Sequence, residues 1–326
     1  MLLILTFCFF IGCKGDANDR SAAAATASGS AGNSASGSSS ANSGGKTATG
    51  FSGGAAYNYA KAQVDFGPRV PGSPAAKKAG DWIISQMRSR ADTVIVQSFT
   101  YTTKDGKKLP LRNILARFRP ELTERVLYMT HWDSRPQSES AATEAEKKMP
   151  VPGANDGASG VGMFIALGDI LKKTRPNVGV DLLFTDGEDY GEFGPPEVDV
   201  LIGSKYFATH LPSPNYKPLY GVLFDMIGDK DLRIPYEMNS FQQVPEVVSR
   251  VWQTAADMGY GDVFVQESGG AVTDDHVPLL NAGLRVIDVI DLTYPAHHTP
   301  QDTMDKISAR SLAIVGDVAT ALVTRK

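Results

Sequence analysis

The sequence predicts an α/β fold, a three-layer sandwich around a central sheet that is mostly parallel (mixed). Strand-like and helix-like segments alternate from residue 91 to the C-terminus, as expected when helices cover both faces of a sheet. Short apolar runs, such as Arg125–His131 and residues 178–185, indicate strands buried on both faces. Other strands are predicted at 91–103, 111–119, 219–227 and 285–291, and helices at 158–173, 202–211, 244–258 and 307–324.

Composition narrows the possible chemistry. The chain has 326 residues and a net charge of −4, and no basic excess marks it for nucleic acid. Its two cysteines, Cys8 and Cys13, both lie near the N-terminus. A disulfide framework and a thiolate zinc site are therefore excluded from the rest of the chain. Any metal there must be held by histidines and carboxylates.

The N-terminal segment predicts export. Residues 1–12 are apolar and too short to span a bilayer, which is typical of a signal peptide. They lead into Cys13, and this junction resembles a bacterial lipobox, although Phe10 stands where Leu is usual and no basic residue comes first. We therefore expect a lipoprotein anchored at Cys13 in the periplasm or at the cell surface. The alternative is an ordinary signal peptide that is cut nearby.

Three regions follow from this pattern. Residues 1–13 are the expected lipoprotein-type signal peptide. Residues 14–55 are almost all Ser, Ala, Gly, Asn and Thr, which predicts a disordered tether. Residues 56–326 contain no second low-complexity segment and form one folded domain. The membrane is expected as a partner through the anchor alone, and the sequence leaves the oligomeric state open.

Acidic and histidine residues collect directly after the predicted strands. His131 ends one buried strand, Glu188 and Asp189 follow the next, Asp225 lies late in the third, and His298 follows the last. Ligands of open α/β sheets bind beyond the carboxyl ends of the strands, where such side chains meet. The sequence therefore predicts a single site at this edge of the sheet.

The carboxylates of Glu188 and Asp189 are neighbours and repel each other unless a cation or a proton lies between them. One of them could bind a metal while the other moves protons, and the alternative is a solvated acidic turn. Asp225 stands in an apolar strand, where a carboxylate is costly without a partner. Asp274 precedes Asp275 and a histidine, and its alternative role is a helix cap.

Two further segments have possible metal ligands. Asp156 lies among small residues at a predicted helix start, where the alternative is an N-cap. His297 and His298 form a pair that is followed by Asp302. Neutral imidazole is a common zinc ligand, and a nearby carboxylate can orient it. The alternative is a solvent-exposed pair.

The ordered set of motifs is more specific than its parts. It comprises FGPRVPGS at 66–73, HWDSRP at 131–136, GANDGASG at 153–160, GEDYG at 187–191, FDMIGD at 224–229 and DDH at 274–276. Across nearly all of residues 56–326, this set resembles the zinc aminopeptidase family, which has a phosphorylase-like α/β fold. Within that family it is most similar to the glutaminyl-peptide cyclotransferases, the animal-type glutaminyl cyclases that also occur in bacteria.

The resemblance implies an enzyme that converts the N-terminal glutamine of peptides and proteins to pyroglutamate. One zinc ion would be bound by Asp156, Asp189 and His298. Glu188 would act as general base and acid. The carboxyl pair of Asp225 and Asp274 would share a proton and hold the α-amino group of the substrate. Asp189 stands where many relatives have Glu, but its carboxylate remains a suitable oxygen ligand.

Alternatives stay open. In a zinc aminopeptidase, His131 and Asp225 would bind a second zinc ion, with Asp156 bridging. A tethered binding protein without catalysis is a third possibility. Cyclases usually have Trp before the final histidine ligand, where this chain has His297, so aromatic surface in the pocket would come from Trp132 or Tyr294. The loops at 147–152 and 192–199 lie beside the expected pocket.

Overall fold

The computed structural model describes residues 48–325. The signal peptide, Cys13 and nearly all of the expected tether lie outside these residues. Within the described part of the chain, no helix is both long enough and apolar enough to cross a membrane.

A six-stranded mixed sheet forms the centre of the fold. Its strands are β1 (Thr93–Thr102), β2 (Lys108–Phe118), β3 (Arg125–His131), β4 (Gly179–Thr185), β5 (Tyr220–Asp225) and β8 (Val286–Ile290). They lie side by side in the order β1-β2-β4-β3-β5-β8. The first two strands pair antiparallel, as do β2 and β4, whereas β4, β3, β5 and β8 run parallel. The predicted mixed sheet is therefore confirmed.

Helices cover both faces of this sheet, and β3 shows why its sequence is continuously apolar. Val126 and Tyr128 pack into the larger apolar core, whereas Leu127 and Met129 pack into a second core on the opposite face. Successive side chains of a strand point to opposite faces, so both sets must be apolar. The helices are α1 (Gly53–Val64), α2 (Pro74–Arg88), α3 (Ala158–Thr174), α4 (Ile202–Thr209), α5 (Met238–Gln243), α6 (Pro245–Asp257), α7 (His276–Asn281) and α8 (Ala309–Thr324).

The predicted strands and helices all occur, with ends that differ by a few residues. The sequence did not predict α1, α2, α5 or α7. It also missed a small parallel sheet of β6 (Ile234–Glu237) and β7 (Phe264–Gly270). Because β7 is mostly exposed and ends in glycines, it has no apolar alternation that would mark it as a strand.

Ordered structure begins before residue 56. Ser52 caps α1, which starts at Gly53, and the preceding Phe51 is fully buried. A side chain at Gly316 would collide with the Phe51 ring, and one at Gly53 would collide with α8. These two glycines let the aromatic ring and the first helix pack directly against the last helix.

Candidate active site

A cavity of about 620 Å³ lies beyond the carboxyl ends of the parallel strands. Most of the residues predicted for the site line it: Asp156, Glu188, Asp189, Asp225, Asp274, His297 and His298. None of the described lining residues is a lysine or an arginine, so the cavity suits a ligand with a positive charge.

His131 lies behind the cavity and connects two of its walls. Its Nε2 atom is 3.0 Å from Asp156 Oδ1 and 3.1 Å from Asp225 Oδ1. Its other nitrogen, Nδ1, lies 3.5 Å from Asp133 Oδ1 and 3.7 Å from Glu188 Oε2. Side chains from four separate segments of the chain therefore meet around one imidazole.

Asp156 does not cap a helix. The N-cap of α3 is Gly157, which has a φ of 89° and makes no side-chain cap bond. A Cβ atom on Gly157 would lie 2.5 Å from the Asp133 carbonyl oxygen, so this close turn requires glycine. The turn directs the Asp156 carboxylate toward His131 and places its Oδ2 atom 3.7 Å from His298 Nε2.

Asp302, the carboxylate expected to orient His298, instead binds the backbone of the loop that contains Asp156. Asp302 accepts hydrogen bonds from the backbone N–H of Asn155 at 2.8 Å and of Asp156 at 3.1 Å. The Tyr294 hydroxyl also donates to it, at 2.6 Å. Asp302 therefore fixes the loop that presents Asp156, and its suggested role as the carboxylate beside His298 was wrong.

Glu139 is the carboxylate that contacts His298. Its Oε1 atom lies 2.6 Å from His298 Nδ1, across 159 residues of sequence. In the neutral tautomer with the proton on Nδ1, that N–H donates a hydrogen bond to Glu139. The lone pair of Nε2 then faces Asp189 Oδ1 at 3.4 Å and Asp156 Oδ2 at 3.7 Å. This tautomer leaves Nε2 available as a ligand atom.

The two adjacent carboxylates of the GEDYG motif point in different directions. Asp133 holds the turn, because its two oxygens accept the backbone N–H groups of Glu188 and Asp189, each at 3.2 Å. Asp189 approaches His298 and accepts a hydrogen bond from Arg135 at 2.7 Å. Glu188 instead approaches His131. Burial raises the pKa of Glu188 well above its usual range, as expected of a group that exchanges protons.

The opposite wall consists of carboxyl groups. Burial, followed by the nearby charge of Asp225, raises the pKa of Asp274 well above its usual range. Asp288 lies behind them, is fully buried, and has a raised pKa for the same reasons. Sequence reasoning did not select Asp288, although it stands in an apolar strand just as Asp225 does. That shared signal would have identified it.

The aromatic part of the pocket is Phe193, and the expectation for Trp132 and Tyr294 was wrong. Trp132 follows His131 at the end of β3, so the two side chains face opposite ways. It lines a different cavity and donates to the Arg112 carbonyl oxygen at 3.3 Å. Tyr294 is turned toward Asp302 instead. The 192–199 loop supplies Phe193 together with Pro195, Pro196 and Glu197, and the 147–152 loop does not line the cavity.

The side chains fit a metal ion in two overlapping groups. Ligand atoms of Asp156, His297 and His298 lie within 4.8 Å of one another, and so do those of His131, Asp156 and Asp225. His297 thus lies close enough to be a ligand as well as a wall of the pocket.

Asp189 fits the first group through its distances. Tetrahedral zinc with bonds of about 2.0–2.1 Å separates its ligand atoms by about 3.3–3.4 Å. The 3.4 Å between His298 Nε2 and Asp189 Oδ1, and the 3.7 Å to Asp156 Oδ2, are close to that spacing. Asp189 Oδ2 is also buried without a hydrogen-bond partner among the described residues. A cation bound by both oxygens of the Asp189 carboxylate would satisfy Oδ2 as well.

Comparison with known proteins defines the class. The model of peptidase family M28 matches residues 113–323, so the chain belongs to peptidase family M28. Glutaminyl-peptide cyclotransferase of Bos taurus is 26% identical over 281 residues, which cover 75% of this chain and 74% of the bovine protein.

Solved structures agree with both the fold and the family. Glutaminyl cyclase of Porphyromonas gingivalis is 38% identical with a TM-score of 0.80, and the match covers 83% of this chain and 97% of that one. A leucine aminopeptidase precursor from Bacteroides thetaiotaomicron is 33% identical with a TM-score of 0.82, covering 85% and 98% of the two chains. The predicted resemblance to this enzyme group is confirmed.

Proposed function

We propose that the protein is a zinc-dependent glutaminyl-peptide cyclotransferase, which converts N-terminal glutamine to pyroglutamate with release of ammonia. The observation that carries the proposal is that one cavity contains Glu188, the candidate metal ligands and the acidic pair of Asp225 and Asp274. The likeness to glutaminyl cyclases supports it. A substrate N-terminus would bring a positive charge into this acidic cavity.

The chain's own residues account for substrate binding and proton transfer. The carboxyl pair of Asp225 and Asp274 would hold the α-amino group. After the α-ammonium group gives one proton to this carboxyl pair, its nitrogen forms a bond to the γ-carboxamide carbon, and the bond from that carbon to the amide nitrogen breaks. Glu188 takes the proton from the attacking amine and gives it to the departing nitrogen, which leaves as ammonia.

We assign the metal to Asp156, Asp189 and His298, three protein ligands that leave one position open, as in catalytic zinc sites. Zinc bound there would supply a Lewis acid for the γ-carboxamide oxygen. His297 forms part of the pocket wall in this proposal, in the place where cyclases usually have Trp.

The second candidate is a zinc aminopeptidase. The group of His131, Asp156 and Asp225 favours it, because Asp156 also belongs to the other metal group and could bridge two ions. The likeness to a leucine aminopeptidase precursor adds support. In this reaction Glu188 would take a proton from the attacking water, and the first peptide bond would be cleaved.

A product assay separates the candidates. The chain from residue 48 onward, which keeps Phe51 and α1 intact, is incubated with Gln-Ala-Ala and Leu-Ala-Ala and analysed by mass spectrometry. We expect the Gln peptide to lose ammonia and the Leu peptide to remain unchanged, which would also show that His297 is tolerated in the pocket. Release of free leucine would establish the aminopeptidase instead. A folded, metal-free chain that converts neither peptide would favour a binding protein.

We also propose export and lipid anchoring at Cys13, with residues 14–47 as the tether between the membrane and the enzyme; the expected tether is shortened because Phe51 and α1 belong to the folded domain. The support is the apolar stretch at 1–12 and the lipobox-like junction. Mass spectrometry of the mature chain tests this proposal. An acylated N-terminal Cys13 would support it, and a mature chain that begins elsewhere without a lipid would contradict it.

A further inference from the structure

Four side chains form a closed ring beside the cavity. Arg135 donates from Nε to Glu139 Oε2 at 2.6 Å and from Nη1 to Asp189 Oδ1 at 2.7 Å. Glu139 Oε1 lies 2.6 Å from His298 Nδ1, and His298 Nε2 lies 3.4 Å from Asp189 Oδ1. Two members of the ring are proposed zinc ligands, and the other two are not.

We propose that Arg135 and Glu139 are positioning residues, which hold Asp189 and His298 in the orientation that zinc binding requires. The proposal rests on the zinc site of the proposed function. Carboxylates that accept the second N–H of a ligating histidine fix its tautomer and ring orientation. Glu139 makes that contact with His298, and Arg135 links it to the second ligand.

Arg135 is suited to this task by its shape. A planar guanidinium can hold two carboxylates at once in fixed directions, whereas a lysine ammonium is a point charge without that geometry. The Arg135 side chain is only 8% exposed, and its guanidinium lies 5.6 Å from the centre of the Phe193 ring. The packing leaves the guanidinium little freedom to leave Asp189.

The ring also explains how a short ligand can serve in this position. Aspartate reaches one methylene less far than glutamate, so its carboxylate must be placed accurately. Arg135 holds Oδ1, while Oδ2 stays buried and without a hydrogen-bond partner among the described residues. Arg135 therefore binds the same oxygen, Oδ1, that faces His298 Nε2, and a second lone pair of that oxygen remains for the metal.

An ordinary surface ion pair would not have this effect. Glu144 follows Glu139 in the same loop and pairs with Lys147 at 2.7 Å, but its side chain is 85% exposed. Exposed ion pairs of this kind contribute little to stability. Glu144→Gln therefore provides a matched control for Glu139→Gln, because it makes the same chemical change in the same loop.

The test measures Zn²⁺ affinity by competition with a chromogenic chelator, for the wild type and for Glu139→Gln, Arg135→Met and Arg135→Lys. Loss of an outer-shell partner typically weakens metal binding by about 10–100-fold. We expect a loss in this range for Glu139→Gln and Arg135→Met, a smaller loss for Arg135→Lys, and no change for Glu144→Gln. The double variant of Glu139→Gln and Arg135→Met should lose less than the product of the single losses, because both act through one ring.

Circular dichroism and thermal unfolding of the metal-free variants separate positioning from a folding defect. We expect each variant to remain folded at the temperature of the zinc assay, with Arg135→Met less stable than the wild type because it leaves the buried Asp189 carboxylate without its partner. Wild-type zinc affinity in folded Glu139→Gln and Arg135→Met would overturn this inference and leave the proposed function intact. A wild-type chain that binds no zinc would overturn both. An equal loss in Glu144→Gln would also overturn the inference, because it would show a general charge effect.

Discussion

Two sides of the same cavity handle negative charge in different ways. On the ligand side, defined by Asp189, His298, Arg135 and Glu139, each carboxylate faces a cationic or hydrogen-bonding partner. On the acid side, defined by Asp225, Asp274 and Asp288, Asp225 pairs with His131, but burial and neighbouring carboxyl groups raise the pKa values of Asp274 and Asp288 well above their usual range. The difference is consistent with the proposed function, in which the ligand side would bind a metal cation and the acid side would receive the amine of the substrate.

Glu188 lies between the two sides, and its substitution gives the largest expected effect. Glu188→Gln keeps the size of the side chain but removes its ability to take and return a proton. General acid–base catalysis contributes about 10²–10⁴ in rate. We therefore expect kcat for glutamine cyclisation to fall by about 10²–10⁴, while the zinc content, measured by elemental analysis, stays at the wild-type level.

The zinc content distinguishes loss of proton transfer from loss of the metal. If Glu188→Gln loses zinc together with activity, Glu188 belongs to the ligand side. Full activity with zinc retained would refute its role in proton transfer. Asp189→Asn provides the comparison, because loss of a proposed ligand should lower both zinc content and turnover.

Sequence reasoning found the fold and most of the site because both follow local rules. The apolar run of β3 and the position of Asp225 at the end of β5 are visible in the chain itself, and parallel strands bring their carboxyl ends to one edge. The start of α2 could also have been predicted, because Ser73 is its N-cap and Pro74 occupies its first position.

The site residues that were not predicted depend on contacts between distant parts of the chain, which no local sequence pattern indicates. Glu139 lies in a loop, 159 residues from His298, and nothing in its neighbourhood distinguishes it from Glu144. The pocket aromatic was missed for a related reason. Trp132 adjoins His131 in sequence, but the alternation of strand side chains sends it to another cavity, whereas the loop brings Phe193 to within 6.5 Å of the His298 ring.

A smaller effect, on the free energy of unfolding, is expected for a substitution on the acid side. Burial and the nearby carboxyl groups of Asp274, Asp225 and Glu237 raise the pKa of Asp288 well above the value of about 3.9 expected in the unfolded chain. The folded state therefore binds this proton more tightly. Its contribution to stability is complete below about pH 4 and is lost as the pH rises toward the folded pKa.

Asp288→Asn removes this titration but keeps the size of the side chain. One proton taken up on folding changes the free energy of unfolding by about 1.4 kcal/mol per pH unit. Between pH 5 and pH 7, the free energy of unfolding of metal-free Asp288→Asn should therefore rise relative to that of the wild type, by no more than this slope, measured by urea unfolding. Metal-free protein is required because zinc binding also depends on pH.

Asp305→Asn is the control for this measurement. Asp305 is exposed, and hydrogen bonds from Lys306 and Thr303 hold its pKa at about 2, so it stays ionised from pH 5 to pH 7 in both states. Its substitution should add no pH dependence in that range. If Asp288→Asn behaves in the same way, Asp288 is ionised in the folded protein, and a partner such as His276, whose Nδ1 atom lies 3.8 Å from Asp288 Oδ2, must compensate its charge. The contrast between the two sides would then disappear, because both would hold paired carboxylates.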